Sequence, residues 1–217
     1  MLVGERMTHP VITIEPDTPV QEALNLMHRE HVRRLPVTDP EGHLVGIVAE
    51  RDLLQASPSD ATSLSVWELN YLLSKIVVKE VMAKDVTTIT EDTLLETAAR
   101  IMADQKIGGI PVMRDSKVVG IITETDLFKI FLEVLGARKA GVRLTVMVPN
   151  KPGELAEITK AIYELGGNII ALGTFLGDNT ETTEVTIKVE DVDTKALQSA
   201  VEPLVARVID MRETRSA

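Results

Sequence analysis

Apolar and polar positions along this chain follow two rhythms, and the first of them occurs twice. Val11, Ile12 and Ile14 form a short apolar run closed by Glu15-Pro16-Asp17, which predicts a strand ended by a turn. Val20, Ala23, Leu24 and Met27 then recur at i, i+3, i+4 and i+7, the spacing of one helix face. Thr18 is placed to cap that helix, with Pro19 as its first residue and Glu22 in its first turn. Arg34-Leu35-Pro36-Val37-Thr38 and Leu44-Val45-Gly46-Ile47-Val48 read as two strands, and the turn chemistry of Asp39-Pro40-Glu41-Gly42 joins them as a hairpin.

The same order returns downstream. Met82 corresponds to Met7, Val86 to Val11, Ile89 to Ile14, Thr93 to Thr18, Ala98 to Ala23, Met102 to Met27 and Pro111 to Pro36, each pair 75 positions apart. After the hairpin the offset is 74, pairing Gly120 with Gly46, Asp126 with Asp52 and Leu127 with Leu53. One residue lost from a hairpin loop accounts for the slip, since loops absorb deletions cheaply. The chain therefore carries a duplicated unit, with copies over 1–56 and 79–135. Residues 57–78 link them through a polar stretch and a helix over 65–73. That helix opens on the capping box Ser65-x-x-Glu68 and carries Trp67 and Tyr71.

A second rhythm follows a Gly-rich hinge at 136–141. Residues 142–148 alternate as a half-buried strand, and Pro149-Asn150-Lys151-Pro152-Gly153 is a turn. Leu155, Ile158, Ala161, Ile162 and Leu165 mark a helix face that Gly166-Gly167 stops. Strands over 168–175 and 183–189, a helix over 194–204 and a strand over 205–211 complete a βαββαβ order, that of a ferredoxin-like unit over 142–217. The fold class is α+β.

Composition narrows the function. With aromatics at 3% of 217 residues, the core is built from aliphatic side chains and methionine. A net charge of −10 argues against a broad nucleic-acid surface, though not against a local basic pocket. No apolar run approaches the roughly 20 residues of a membrane span. The N-terminus lacks the pattern of a signal peptide. Zero cysteines exclude disulfides, zinc–thiolate sites and a thiol nucleophile, which is compatible with a cytoplasmic protein. His28 and His31 lack nearby paired carboxylates, and the chain has neither a Walker-type loop nor a Gly-x-Gly-x-x-Gly turn. No metal site and no enzyme are expected.

Three sets of residues carry a resemblance. Met7-Thr8 and Met82-Ala83, Leu35-Pro36-Val37 and Ile110-Pro111-Val112, and Gly46…Asp52 and Gly120…Asp126 resemble a pair of CBS domains, a Bateman module. The turn 150–155 resembles that of an ACT domain. The two together, with the insert 66–73, resemble the AcuB-type acetoin-utilisation proteins. This resemblance implies a regulatory protein that requires no cofactor and senses AMP, ADP, ATP or S-adenosylmethionine in the CBS pair.

The resemblance also implies a nucleotide motif, Gly-apolar-x-Thr/Ser-x-x-Asp, whose carboxylate accepts from ribose hydroxyls. The second copy has the whole motif in Gly120, Thr123 and Asp126; the first has Asp52 but Ala49 in place of the hydroxyl. In a pseudo-twofold pair the clefts face one another. The expected site thus joins Thr123 and Asp126 on the ribose with Arg33 or Arg34 on a phosphate, Val86, Ile110 and Pro111 around adenine, and Gly109 where the ligand nears the backbone. For the ACT unit the resemblance implies an amino acid or small metabolite at a homodimer interface near Asn150, Gly153 and Asn168, and an unidentified protein target. Two simpler readings stand beside these. Asp126 is a natural helix cap without any ligand, and the whole chain is a ligand-free dimeric adaptor for a metabolic enzyme.

Overall fold

The computed structural model describes residues 1–56 and 75–215; the helix expected over 65–73 lies outside the described residues. The chain divides into two compact units, Met1–Leu127 and Phe128–Ala217. The division falls inside a helix, so residues that the sequence assigns to the end of the second copy and to the hinge belong to the second unit.

In the first unit, helix α1 (Val20–Arg29) buries Val20, Ala23, Leu24 and Met27, the four residues of its apolar stripe. It starts one residue later than expected. Pro19 occupies the cap and Thr18 makes no side-chain cap, because the Val20 N–H is satisfied at 2.9 Å by the Ile76 carbonyl. Strands β1 (Arg34–Thr38) and β2 (Leu44–Ala49) form the hairpin, followed by α2 (Glu50–Ala56) and the short α3 (Val78–Val81). The second copy runs through β3 (Ile89–Thr90), α4 (Leu95–Gln105), β4 (Gly109–Arg114), β5 (Lys117–Thr123) and α5 (Glu124–Val134). The expected strand over 11–14 is reduced to a single bridge, Ile14 to Val37. Its counterpart β3 is two residues long. The register explains the slip from 75 to 74. Thr38 pairs with Leu44, while Met113 pairs with Val118 across a loop one residue shorter.

The copies exchange their leading segments. Thr8 pairs with Ile121 of β5, and Ala83 pairs with Ile47 of β2, each through two backbone hydrogen bonds. The two motif glycines make the exchange fit. A Cβ on Gly120 would fall against Sδ of Met7 and 3.0 Å from its Cγ. One on Gly46 would strike Sδ of Met82 and lie 2.9 Å from its Cγ. Met7 and Gly120 are thus one packing unit, as are Met82 and Gly46.

In the second unit, β6 (Gly141–Pro149), α6 (Glu154–Glu164), β7 (Asn168–Leu176), β8 (Thr182–Glu190), α7 (Thr194–Val201) and β9 (Arg207–Thr214) give the βαββαβ order. The sheet is antiparallel throughout, ordered β7-β8-β6-β9. Alternate residues of β6 and β8, from Val142 to Val148 and from Val185 to Val189, pack beneath Ile158, Ile162, Leu197 and Val201 of the helices. The expected helix over 194–204 ends earlier, in a 3-10 turn (Glu202–Leu204) at Pro203, whose ring cannot continue the ladder. On the opposite face Thr145, Thr186 and Lys188 are also buried.

Candidate functional site

Each hairpin opens and closes at equivalent points. Arg34 is the register partner of Ala49, and Gly109 of Thr123, so each strand pair delivers its last residue directly into a helix. In both copies the carboxylate three residues on turns back to that last residue. Asp52 Oδ2 accepts from the Ala49 N–H at 3.0 Å, and Asp126 Oδ2 from the Thr123 N–H at 3.0 Å. The Thr123 hydroxyl adds a donation to Asp126 Oδ2 at 2.7 Å and accepts from the Asp126 N–H at 3.4 Å. Thr123 and Asp126 are therefore a reciprocal capping box, with Asp126 9% exposed. Ala49 cannot supply the hydroxyl, so Asp52 is held by one bond and remains half-buried.

Beside Asp52 lies a cleft of about 470 Å3, built by the segment exchange. The first copy contributes Arg34, Ile47, Ala49 and Asp52. The second contributes Ala83, Asp85, Val86 and Thr87 from its leading segment, and residues 105–109 around the entry to β4. Lys106 is in the left-handed conformation, φ 56°, at the C-cap of α4. Arg34 crosses from its own copy to lie over Gly108 and Gly109. A Cβ on Gly108 would collide with the guanidinium, 2.6 Å from Cζ, and with Glu124 Oε2 at 2.6 Å; one on Gly109 would sit 3.1 Å from Arg34 Cδ. The guanidinium stands 3.8 Å from Glu124 Oε2, at the first turn of α5.

This geometry joins Val86, Gly109, Arg34 and Asp52 of the expected site and separates the others. Thr123 and Asp126 are engaged with each other and do not line the cleft, so the copy expected to be the weaker holds the open carboxylate. Ile110 and Pro111 are buried inside β4 and do not line this cleft. Arg33 lines a different hollow of about 520 Å3 with Met27, His28 and Glu50, where His28 Nε2 meets Glu50 Oε1 at 3.1 Å. Thr87, Lys106, Ile107 and Ile47 are cleft residues that the sequence reading missed. They become visible only once the leading segments are known to cross. The cleft can hold a ligand with vicinal hydroxyls at Asp52, an anionic group at Arg34 and Lys106, and an apolar body against Ile47, Val86 and Ile107.

In the second unit, Asn150 Nδ2 donates to the Thr180 carbonyl at 3.1 Å and Asn168 Nδ2 to Glu190 Oε1 at 2.5 Å. Gly153 caps α6 with φ 100° and open space around it. The two asparagines do not come together within one chain. Pro149, just before Asn150, pairs with Thr182 at one end of β8, and Asn168 pairs with Glu190 at the other, about 26 Å apart at 3.3 Å per residue. Among the described residues no group of His, Cys, Asp and Glu is placed to hold a metal ion, and no helix is long and apolar enough to cross a membrane.

The family model for the CBS domain matches residues 3–59 and 78–133, more than half of the chain. A CBS domain-containing protein of Dictyostelium discoideum is 30% identical over 136 residues, covering 62% of this chain and 94% of that one. An inosine-5'-monophosphate dehydrogenase of Methanocaldococcus jannaschii is 33% identical over 175 residues. That match covers 80% of this chain but only 32% of the enzyme. Among solved structures, one described as an acetoin utilization protein (AcuB) from Vibrio cholerae superposes with a TM-score of 0.51 at 32% identity, covering 61% of this chain and 90% of that one. A CBS domain pair in complex with 5'-methylthioadenosine and S-adenosyl-L-methionine gives 0.52 at 28% identity, covering 64% and 98%. CBSX2 in complex with AMP gives 0.51 at 32% identity, covering 61% and 97%.

Proposed function

The chain belongs to the CBS domain family, and from that premise we propose that it is a non-catalytic regulatory protein of the cytoplasm that binds an adenosine-containing ligand in the Asp52 cleft. The observation that carries this reading is the convergence of two carboxylates (Asp52 and Asp85), two cations and an apolar wall in a single cleft, with Asp52 at the start of its helix facing in. Asp52 would accept from the ribose hydroxyls, Arg34 and Lys106 would face the phosphate, and Val86 and Ile107 would lie against the base. Two relatives solved with AMP and with adenosine-bearing sulfur compounds support the ligand class. Arg34 gives the site a way to report occupancy. Its guanidinium now stands beside Glu124, and a phosphate drawing it away would leave that carboxylate unpaired at the start of α5. Such differential contact is what shifts an equilibrium between two arrangements.

For the second unit we propose an ACT-like dimerising domain. The edge strand β7 exposes Leu172, Phe175 and Leu176, the last 96% exposed, and a second copy would cover that edge. Asn150, Gly153 and Asn168 would then form a metabolite or amino-acid site only where two chains meet. A place in acetoin metabolism rests on the likeness to the Vibrio protein alone.

Isothermal titration of the full chain with AMP, ADP, ATP and S-adenosylmethionine, with GMP as the control, tests the ligand class. Saturable binding of at least one adenosine compound, well ahead of GMP, is expected. Absence of binding by all four, or equal binding of GMP, overturns the reading and leaves the ligand-free adaptor.

A further inference from the structure

The face of the C-terminal sheet turned away from α6 and α7 holds a buried charge with no counter-charge among the described residues. Lys188 is 5% exposed. Its Nζ donates to the Gly136 carbonyl at 2.8 Å, the one acceptor it has among the described residues. Burial, together with the nearby charge of Arg143, holds its amine below the ordinary lysine range. Arg143, opposite Lys188 in the β6–β8 register, reaches Asp210 only at 3.4 Å. That carboxylate is already gripped on both oxygens by Arg212, at 2.7 and 2.5 Å. Arg143 and Lys188 both line a small, partly open cavity of about 70 Å3. Thr186 supplies a hydroxyl there, and Leu135, Ala171, Leu172 and Phe175 supply apolar walls. Among the described residues no carboxylate lines it. Glu184, on the same face two residues before Thr186, stays outside.

We propose that this cavity is a binding site for a short-chain carboxylate, of acetate to propionate size, held by Lys188 and Arg143. A buried cation without a partner is costly, and an anion beside it removes that cost. The volume is a little over twice the roughly 30 Å3 that a water molecule occupies in the liquid, which limits the occupant to a few covalently bonded non-hydrogen atoms. A carboxylate can accept from the spare Nζ protons and from the guanidinium together. Its short tail meets the apolar walls, which a fully hydrated phosphate or a bare chloride would leave unused. The Thr186 hydroxyl, already 3.1 Å from Thr145 Oγ1, orients one carboxylate oxygen. This site is separate from the Asp52 cleft and from the asparagines at the two ends of β8.

Isothermal titration of the full chain with sodium acetate at fixed ionic strength tests it, with sodium chloride and inorganic phosphate titrated in parallel. The expected result is saturable millimolar binding of acetate, weakened about tenfold or more in Arg143→Met and lost in Lys188→Met. Because Lys188→Met removes an uncompensated buried charge and keeps the chain length, its melting temperature should match or exceed the parent's. If that variant fails to fold, Arg143→Met alone decides. Acetate binding that survives either substitution overturns the proposal, as do the absence of saturable acetate binding and chloride or phosphate binding as tightly.

Discussion

The exchange of leading segments makes a quantitative prediction at Gly120. In Gly120→Ala the new methyl meets three atoms of the Met7 side chain, Sδ first, with Cγ at 3.0 Å and Cε at 3.1 Å. Ordinary van der Waals separation is 3.5 to 4 Å, so Met7, only 9% exposed, must move outward or strain the strand. Overpacking of this kind costs about 1–3 kcal/mol. Met7→Ala alone removes a buried methionine and should cost about 2–5 kcal/mol. In the double variant the clash no longer exists, so the two losses should not add, and the coupling should equal the whole overpacking cost, about 1–3 kcal/mol. Urea unfolding followed by circular dichroism reads all four corners of the cycle. Gly153→Ala is the control. Its cost comes from a φ of 100° with nothing within 4 Å of the new methyl, so it should add to Met7→Ala without coupling. A neutral Gly120→Ala, or additivity with Met7→Ala, would refute the packing unit and with it the crossing of the segments.

Three further outcomes follow from the same contacts. Thr123→Ala removes the hydroxyl half of the capping box and should cost about 1 kcal/mol in urea unfolding; no change would mean that Asp126 caps the helix alone. Lys188 has a folded-state pKa below its unfolded value of 10.5, so between the two the unfolded chain binds more protons and stability should rise with pH. Urea midpoints between pH 8 and 10.5 should show that slope lessen in Lys188→Met; an unchanged slope would remove Lys188 as its source. The proposed pairing along β7 predicts that the full chain sediments as a dimer and that Leu176→Glu shifts it toward monomer; a monomeric parent, or a dimer undisturbed by the substitution, would contradict that pairing.

Much of the fold was legible because its cause is local. The stripe Val20, Ala23, Leu24 and Met27 is buried as its spacing requires, and the glycines at 166 and 167 end α6, with Gly166 at φ 75° and the Gly167 N–H on the Ile162 carbonyl. The site was harder to read because its cause is not local. An offset of 75 is the same whether each copy folds upon itself or hands its leading segment to the other, so Ala83, Val86 and Thr87 could not be assigned to Asp52. The motif and the geometry weight the copies differently. The hydroxyl of Thr123 reads as a ligand donor in sequence, yet it ties down Asp126 and the carboxylate without it is the open one. The sequence expectation is that Arg33 or Arg34 reaches across to a phosphate held by the other copy and that Gly109 admits the ligand; in the structure the space above Gly108 and Gly109 is taken by the guanidinium of Arg34 itself. Helix starts failed for a related reason, since carbonyls distant in sequence, Ile76 for α1 and Met1 for α4, take the N–H groups that Thr18 and Thr93 would have capped.

The central claim is that the ligand lies in the cleft of Asp52 and the crossed segment 83–87. The most direct measurement is the AMP affinity of Asp52→Ala set against that of Thr123→Ala by calorimetry. Hydrogen bonds to a charged group are worth about 1.5–3 kcal/mol, so Asp52→Ala should weaken AMP roughly tenfold to a hundredfold, while Thr123→Ala stays within about twofold. Full affinity in Asp52→Ala, with binding lost in Thr123→Ala, would contradict the account and return the ligand to the second copy's motif.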